Sequence, residues 1–165
     1  KPAEINIANF RWRNDDADES SATWLSNENV QAPITKNNLV RLRFGVYNSG
    51  SQDTGNIVYR LEYAEKTSTC AAASSWAEVT NTGAKHWQIL DSSNLNDSAT
   101  TSNVLGGVTD MNIDFIEGSV NDLDADSPAI NLSETDFSEI EYSLIATSNA
   151  LDSNYCFRLS NAGSI

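Results

Sequence analysis

Val40-Arg41-Leu42-Arg43-Phe44-Gly45-Val46 places an apolar residue at every second position, with arginine or glycine between. Successive side chains of a β-strand point to opposite faces, so this stretch reads as a half-buried strand. The same period recurs in Ile57-Val58-Tyr59-Arg60-Leu61-Glu62-Tyr63, in Ile140-Glu141-Tyr142-Ser143-Leu144-Ile145-Ala146 and in Tyr155-Cys156-Phe157-Arg158-Leu159. Shorter candidates lie at 23–26, 77–79 and 86–90, and no convincing helical pattern appears. Asn48-Ser49-Gly50-Ser51-Gln52-Asp53-Thr54-Gly55 is a loop by composition, which predicts a hairpin between the strands on either side. Strands separated by turn clusters predict one all-β sandwich spanning residues 1–165, not β-α-β units.

Two regions resist this reading. Ile5 and Ile7 are in odd phase while Phe10 and Trp12 are in even phase, so a residue is inserted near Ala8-Asn9. That insertion is either a bulge or the meeting of two strands. The stretch from Asp91 to Ser127 is long, polar and poorly periodic, and its course is not legible.

Composition narrows the function classes. The 165 residues suffice for a hydrophobic core, and the apolar runs are too short for a membrane span. Acids outnumber bases 23 to 10, giving a net charge of −13, and such a chain repels phosphate backbones. Nucleic-acid binding is therefore not expected. The charge is uneven: residues 1–85 hold ten acids and nine bases, whereas residues 86–165 hold thirteen acids and only Arg158. The chain begins at Lys1 without a basic and apolar leader, which predicts a processed product or an excised piece. Its two cysteines, Cys70 and Cys156, in an acidic chain rich in Ser, Thr and Asn, predict an extracellular disulfide, with two unrelated buried thiols as the other reading.

Several segments together carry a likeness. They are Phe10-Arg11-Trp12-Arg13-Asn14-Asp15-Asp16, Thr23-Trp24, Arg41-Leu42-Arg43-Phe44, Tyr59-Arg60-Leu61-Glu62-Tyr63, Trp87-Gln88-Ile89-Leu90-Asp91-Ser92-Ser93-Asn94-Leu95 and Tyr155-Cys156-Phe157-Arg158-Leu159. The last, followed by Ser160-Asn161-Ala162-Gly163, resembles the penultimate strand of fibronectin type III and related immunoglobulin-like domains. As a set they resemble the β-sandwich modules of large secreted bacterial surface proteins. That resemblance implies an immunoglobulin-like fold and a structural or adhesive role, with no catalytic residues to carry over. In such modules the Asn-Ala-Gly turn leads into one more edge strand, whereas here only Ser164-Ile165 remains after it. Either the sequence is cut short, the rest is disordered, or the sandwich lacks its last edge strand.

Each chemical motif has a plainer reading beside it. Asp122, Asp124 and Asp126 have the D-x-D-x-D spacing of a calcium loop. Position six holds Ser127 instead of Gly and position twelve Ser133 instead of Glu, so an EF-hand fails. An irregular calcium site or a solvated acidic loop remain, and the same choice applies to Asn14-Asp15-Asp16-Ala17-Asp18-Glu19. His86 with Ser92 or Ser93 lacks an orienting carboxylate and an oxyanion hole, so no triad is read. Trp12, Trp24, Trp76 and Trp87, with Tyr47, form either sandwich core or a platform for stacking sugars. The N-x-S/T acceptor pattern occurs at Asn96 and Asn131.

The sequence thus predicts a non-enzymatic, extracellular structural subunit of a surface filament or layer, with other copies of itself as partners. The alternative is a carbohydrate-binding module that takes a polysaccharide. Subunit contacts are expected from two sources. Arg11, Arg13, Arg41 and Arg43 fall on the polar phase of their strands, where an exposed stripe would face a neighbour's acidic second half. Residues 1–9, with Ile5 and Ile7 on one face, would add as a donor strand to a neighbour's open edge, unless they pair within their own subunit.

Overall fold

The computed structural model describes residues 1–106 and 114–164, and the chain is all-β among the described residues. The four stretches of period two become β2 (Val40–Asn48), β3 (Ile57–Glu65), β8 (Phe137–Ala146) and β9 (Tyr155–Asn161). Ahead of them runs β1 (Ile5–Asn14), and the short strands are β4 (Ala77–Glu78), β5 (Trp87–Ile89), β6 (Val120–Asn121) and β7 (Asp126–Ile130). The candidate at 23–26 forms a single bridge, Trp24 to Arg13. Much of the stretch from Asp91 to Ser127 is loop, carrying β6 and the start of β7. Its residues 107–113 lie outside the described ones, as does Ile165.

Two sheets face each other. One runs β1-β2-β8-β5, with β6 also paired to β8. The other has β3 at its centre, paired with β4, β7 and β9. Pro128, which cannot donate to a ladder, sits on β7, a strand that pairs with β3 alone among the described residues. All sheet pairs are antiparallel except β6 with β8. Leu42, Phe44 and Val46 meet Leu61, Tyr63, Ile140, Tyr142 and Leu144 in one buried core. Each such side chain contributes roughly 1.5–3 kcal/mol when fully buried. The Tyr142 hydroxyl donates to the Tyr59 carbonyl at 2.7 Å, tying β8 of one sheet to β3 of the other.

The expected hairpin between β2 and β3 is corrected. The two strands lie in different sheets, and the loop between them crosses from one to the other. Asn48 anchors that loop, its side-chain amide donating to the carbonyls of Gln52 (2.7 Å) and Leu132 (3.1 Å). The phase change in β1 is a bulge within one strand: the register against β2 shifts between Ile7 and Asn9. Asn9 lies over Gly45, where a β-carbon would come 2.1 Å from the Asn9 Oδ1. A side chain at position 45 would push the Asn9 amide aside.

Cys70 and Cys156 form the disulfide, with Cα atoms 5.5 Å apart. It pins the long β3–β4 loop against β9. No helix among the described residues is long and apolar enough to cross a membrane.

Candidate functional site

The polar phase of the first sheet, where an exposed stripe of arginines is expected, is instead an interior. In register across it lie Arg11, Arg43 and Glu141, and beside them Arg13, Arg41 and Ser143. Arg13, Arg41, Arg43, Glu139 and Glu141 are all at most 1% exposed. Arg43 Nε donates to Glu139 at 2.7 Å and its Nη1 to Glu141 at 3.3 Å, while Arg13 Nη1 donates to Glu141 at 3.0 Å. The acidic run after Asn14 folds over this face as a cover. Asp15 accepts from Arg41, and Glu19 accepts from Arg43 and from the Ser102 backbone amide. Burial alone would depress the Arg43 guanidinium, but Glu141 and Glu139 raise it above its ordinary value. Buried guanidiniums cannot meet a neighbour's carboxylates, so Arg13, Arg41 and Arg43 are corrected as subunit contacts. Arg11 is half-buried and stacks over Trp24 at 4.6 Å.

The acidic clusters are resolved into separate partners. Asp126 holds Arg60 through both carboxylate oxygens, at 2.7 and 2.9 Å. Asp124 accepts from the Asp126 backbone amide, and Asp122 from the Ser92 backbone amide. The structure therefore does not gather Asp122, Asp124 and Asp126 around one point, and no metal-holding group of three appears among the described residues. Burial pushes the Asp122 carboxyl up to about 6, with Asp91 and Asp97 adding to the rise and the Ser92 amide opposing it. In the other cluster, the hydroxyls and amides of Ser21 and Ser20 hold Asp18 down to about 2.

His86 Nδ1 lies 2.9 Å from the Tyr155 hydroxyl, whereas Ser92 donates to Asp15, so no nucleophile–base pair forms from them. Trp12 and Trp87 are core residues, 6% and 4% exposed. Arg11 and Arg13 cover Trp24, and Arg158 lies 4.4 Å over Trp76. These faces are occupied by the protein's own guanidiniums or by its core. Tyr47 is half-buried on β2, and Asn96 and Asn131 are exposed.

The outer edge of β9 has no ladder partner among the described residues. The Ala162 amide donates to the Val58 carbonyl and the Lys66 amide to the Asn154 carbonyl, both at 2.8 Å. In an antiparallel ladder bonded pairs alternate, so Cys156, Arg158 and Ser160 bond to β3. The backbone groups of Tyr155, Phe157 and Leu159 therefore point away from β3, and they find no partner among the described residues. At the end of the strand the chain turns at Ala162 (φ 48°) and Gly163 (φ 93°). Asn161 and Ser164 then exchange both backbone hydrogen bonds, at 2.7 and 2.8 Å. Two residues of positive φ between paired strands make a tight hairpin turn of the primed type.

Beside this edge, between the two sheets, lies a groove of about 980 Å³ lined by Phe10, Trp12, Trp87 and Phe157. Phe157 stacks edge-on against Trp87 and Trp12, with ring centres 4.9 and 5.4 Å apart. The Trp87 indole N–H is buried and has no partner among the described residues. Residues 1–9 do not reach this groove in their own chain: Ile5 and Ile7 pair with Asn48 and Val46 of β2.

Sequence reasoning missed Glu139 and Glu141, which alternate with Ile140 and Tyr142 and so lie on the polar phase beside the arginines. That alternation was the available signal. No family model, curated protein or solved structure matches the chain.

Proposed function

We propose that this chain is a structural, non-catalytic module of an extracellular surface filament or layer, joined to its neighbours by strand addition. The observation that carries this reading is the outer edge of β9, unpaired among the described residues and flanked by an apolar groove. Unpaired strand edges are usually blunted by charge, proline or a covering loop, because they template pairing with another chain. Three further features support the reading. The Cys70–Cys156 bridge suits an oxidising, extracellular setting. The charged face of the first sheet is sealed internally, which leaves the groove side as the apolar surface for a partner. The tryptophans offered as a sugar platform are buried or capped by arginine, which disfavours the carbohydrate-binding alternative.

Sedimentation velocity over a wide concentration range, with negative-stain micrographs of the same samples, tests this. Linear or sheet-like assemblies growing with concentration are expected. A species that stays monomeric at high concentration and is retarded in a polysaccharide affinity gel would replace this reading with the carbohydrate-binding one.

A further inference from the structure

We infer that the carboxyl groups of Asp91 and Asp122 share one proton and form a latch between the loop after β5 and the turn after β6, closed in mild acid and loosened as pH rises. The latch borders the sealed polar face and is independent of how subunits join.

Asp122 directly follows β6 and is 1% exposed, where a carboxylate is rarely found without a charged partner. Its Oδ2 accepts from the Ser92 backbone amide at 3.1 Å, while its Oδ1 is buried with no hydrogen-bond partner among the described residues. A buried acceptor without a donor costs free energy until something supplies a hydrogen. Asp91, two residues beyond β5, brings its carboxyl within hydrogen-bonding reach of Asp122. The two neighbouring charges that act on Asp122 most strongly, Asp91 and Asp97, are both negative. Asp97 Oδ1 accepts from the Asp122 and Leu123 backbone amides at 3.1 and 3.3 Å. After the turn, Asp124 accepts from the Asp126 amide, and in the covering loop Asp15 is paired with Arg41 at 2.5 Å. A single proton on the Asp91–Asp122 pair removes one negative charge and supplies the hydrogen bond that two ionised carboxylates cannot make.

What the latch holds follows from the bonds around it. The loop that carries Asp91 and Asp97 is joined to β6 by the Ser98 amide on the Val120 carbonyl and the Val120 amide on the Ala99 carbonyl, both at 2.9 Å. In the other direction, Ser92 binds Asp122 through its amide and Asp15 through its hydroxyl, the latter at 2.6 Å. Asp15 in turn holds Arg41 on the sealed face, so the pair connects to the cover over the buried arginines. Burial first, then Asp91 and Asp97, keep the Asp122 carboxyl at about 6 against the opposing Ser92 amide. Its ordinary value in an unfolded chain is about 4. A raised folded value means that protonation favours the closed form, fully below about pH 4 and no longer once pH has passed about 6. Such a module tightens its polar flank in acidic surroundings and loosens it at neutral pH.

The test is an NMR titration of the aspartate carboxyl carbons from about pH 3 to about pH 8, with a chelator present so that protons alone neutralise the pair. Two steps are expected in the wild type, one carboxyl of the pair titrating below about pH 4 and the other near 6. Asp91→Asn, at an exposed position, should abolish the split, because its amide donates to an ionised Asp122 at every pH and lets that group titrate well below 6. The amides of Ser98 and Val120 report the latch itself. Corrected for intrinsic exchange, they should be about tenfold less protected at about pH 7.5 than at about pH 5 in the wild type, and equally protected at both in Asp91→Asn. A single step near pH 4 for both carboxyls would overturn the shared proton. A step near 6 that persists in Asp91→Asn would belong to burial alone and overturn the pairing. A split titration with Ser98 and Val120 equally protected at both pH values would overturn the latch, since the proton would then hold nothing closed.

Discussion

The two flanks of this sandwich invert the usual distribution of polarity. On the outer face of the first sheet, three arginines and two glutamates are at most 1% exposed and paired with each other and with a covering loop. On the groove side, aromatic and aliphatic residues border solvent and a strand edge goes unpaired among the described residues. The polar flank is sealed and the apolar flank is open. The lesson is that strand phase separates two faces but does not say which one meets water. Loops decide that, and here the loop after β1 covers charge while no described loop covers the groove.

The contrast can be broken first at the bridge that holds the open flank. Reducing Cys70–Cys156 frees β9 from the β3–β4 loop, and a closed loop of this length contributes about 4–5 kcal/mol. Denaturant midpoints with and without reductant should differ accordingly, and an unchanged midpoint would mean β9 is held by its ladder alone. On the sealed flank, Glu141→Ala leaves Arg13 without its buried carboxylate and strips one of two from Arg43, and a loss of about 3–5 kcal/mol is expected in urea unfolding. A loss below about 1 kcal/mol would mean the face is wetter than its burial implies.

Both flanks are only partly legible in the sequence. The alternation in β2, β3, β8 and β9 is readable because one or both faces of each strand are buried, and the insertion near Ala8-Asn9 surfaces as a phase change. The assignment of β2 and β3 to different sheets is not, because a loop's composition does not record whether it closes a hairpin or crosses the sandwich. Nor is the burial of Arg41 and Arg43 readable: their cover comes from residues 15–19 and from Ser102, in segments without period. The strand β9 itself shows in the sequence as the alternation of Tyr155, Phe157 and Leu159. Its groove does not, since it depends on how the two sheets face each other.

Titration sharpens the sealed side. The Asp122 carboxyl sits at about 6 in the folded chain against about 4 when unfolded, so it favours folding when protonated. That contribution is complete below about pH 4 and is lost as pH rises toward 6. Asp122→Asn should remove this slope, its stability advantage over wild type growing from pH 4 to pH 6 in parallel denaturations. A constant difference would place Asp122 in ordinary solvent.

The smallest effect lies on the open side. Ala162 holds a left-handed conformation that glycine or asparagine adopts more readily, so Ala162→Gly should stabilise the turn by about 0.5–1 kcal/mol. Thermal melts resolve that shift, and a destabilised variant would mean the turn does not form. Salt separates the flanks as well. With the arginines inside, the exposed surface of a chain of net charge −13 is mutually repulsive, so screening should promote assembly. Light scattering that falls as salt rises would restore an exposed charge contact.

The contrast is tested most directly along β9 itself, by amide exchange in dilute protein measured residue by residue. Alternation is predicted: Cys156, Arg158 and Ser160, bonded to β3, exchange slowly, while Tyr155, Phe157 and Leu159 exchange at least tenfold faster. Uniform protection through all of these residues would contradict an open edge, and with it the strand-addition reading.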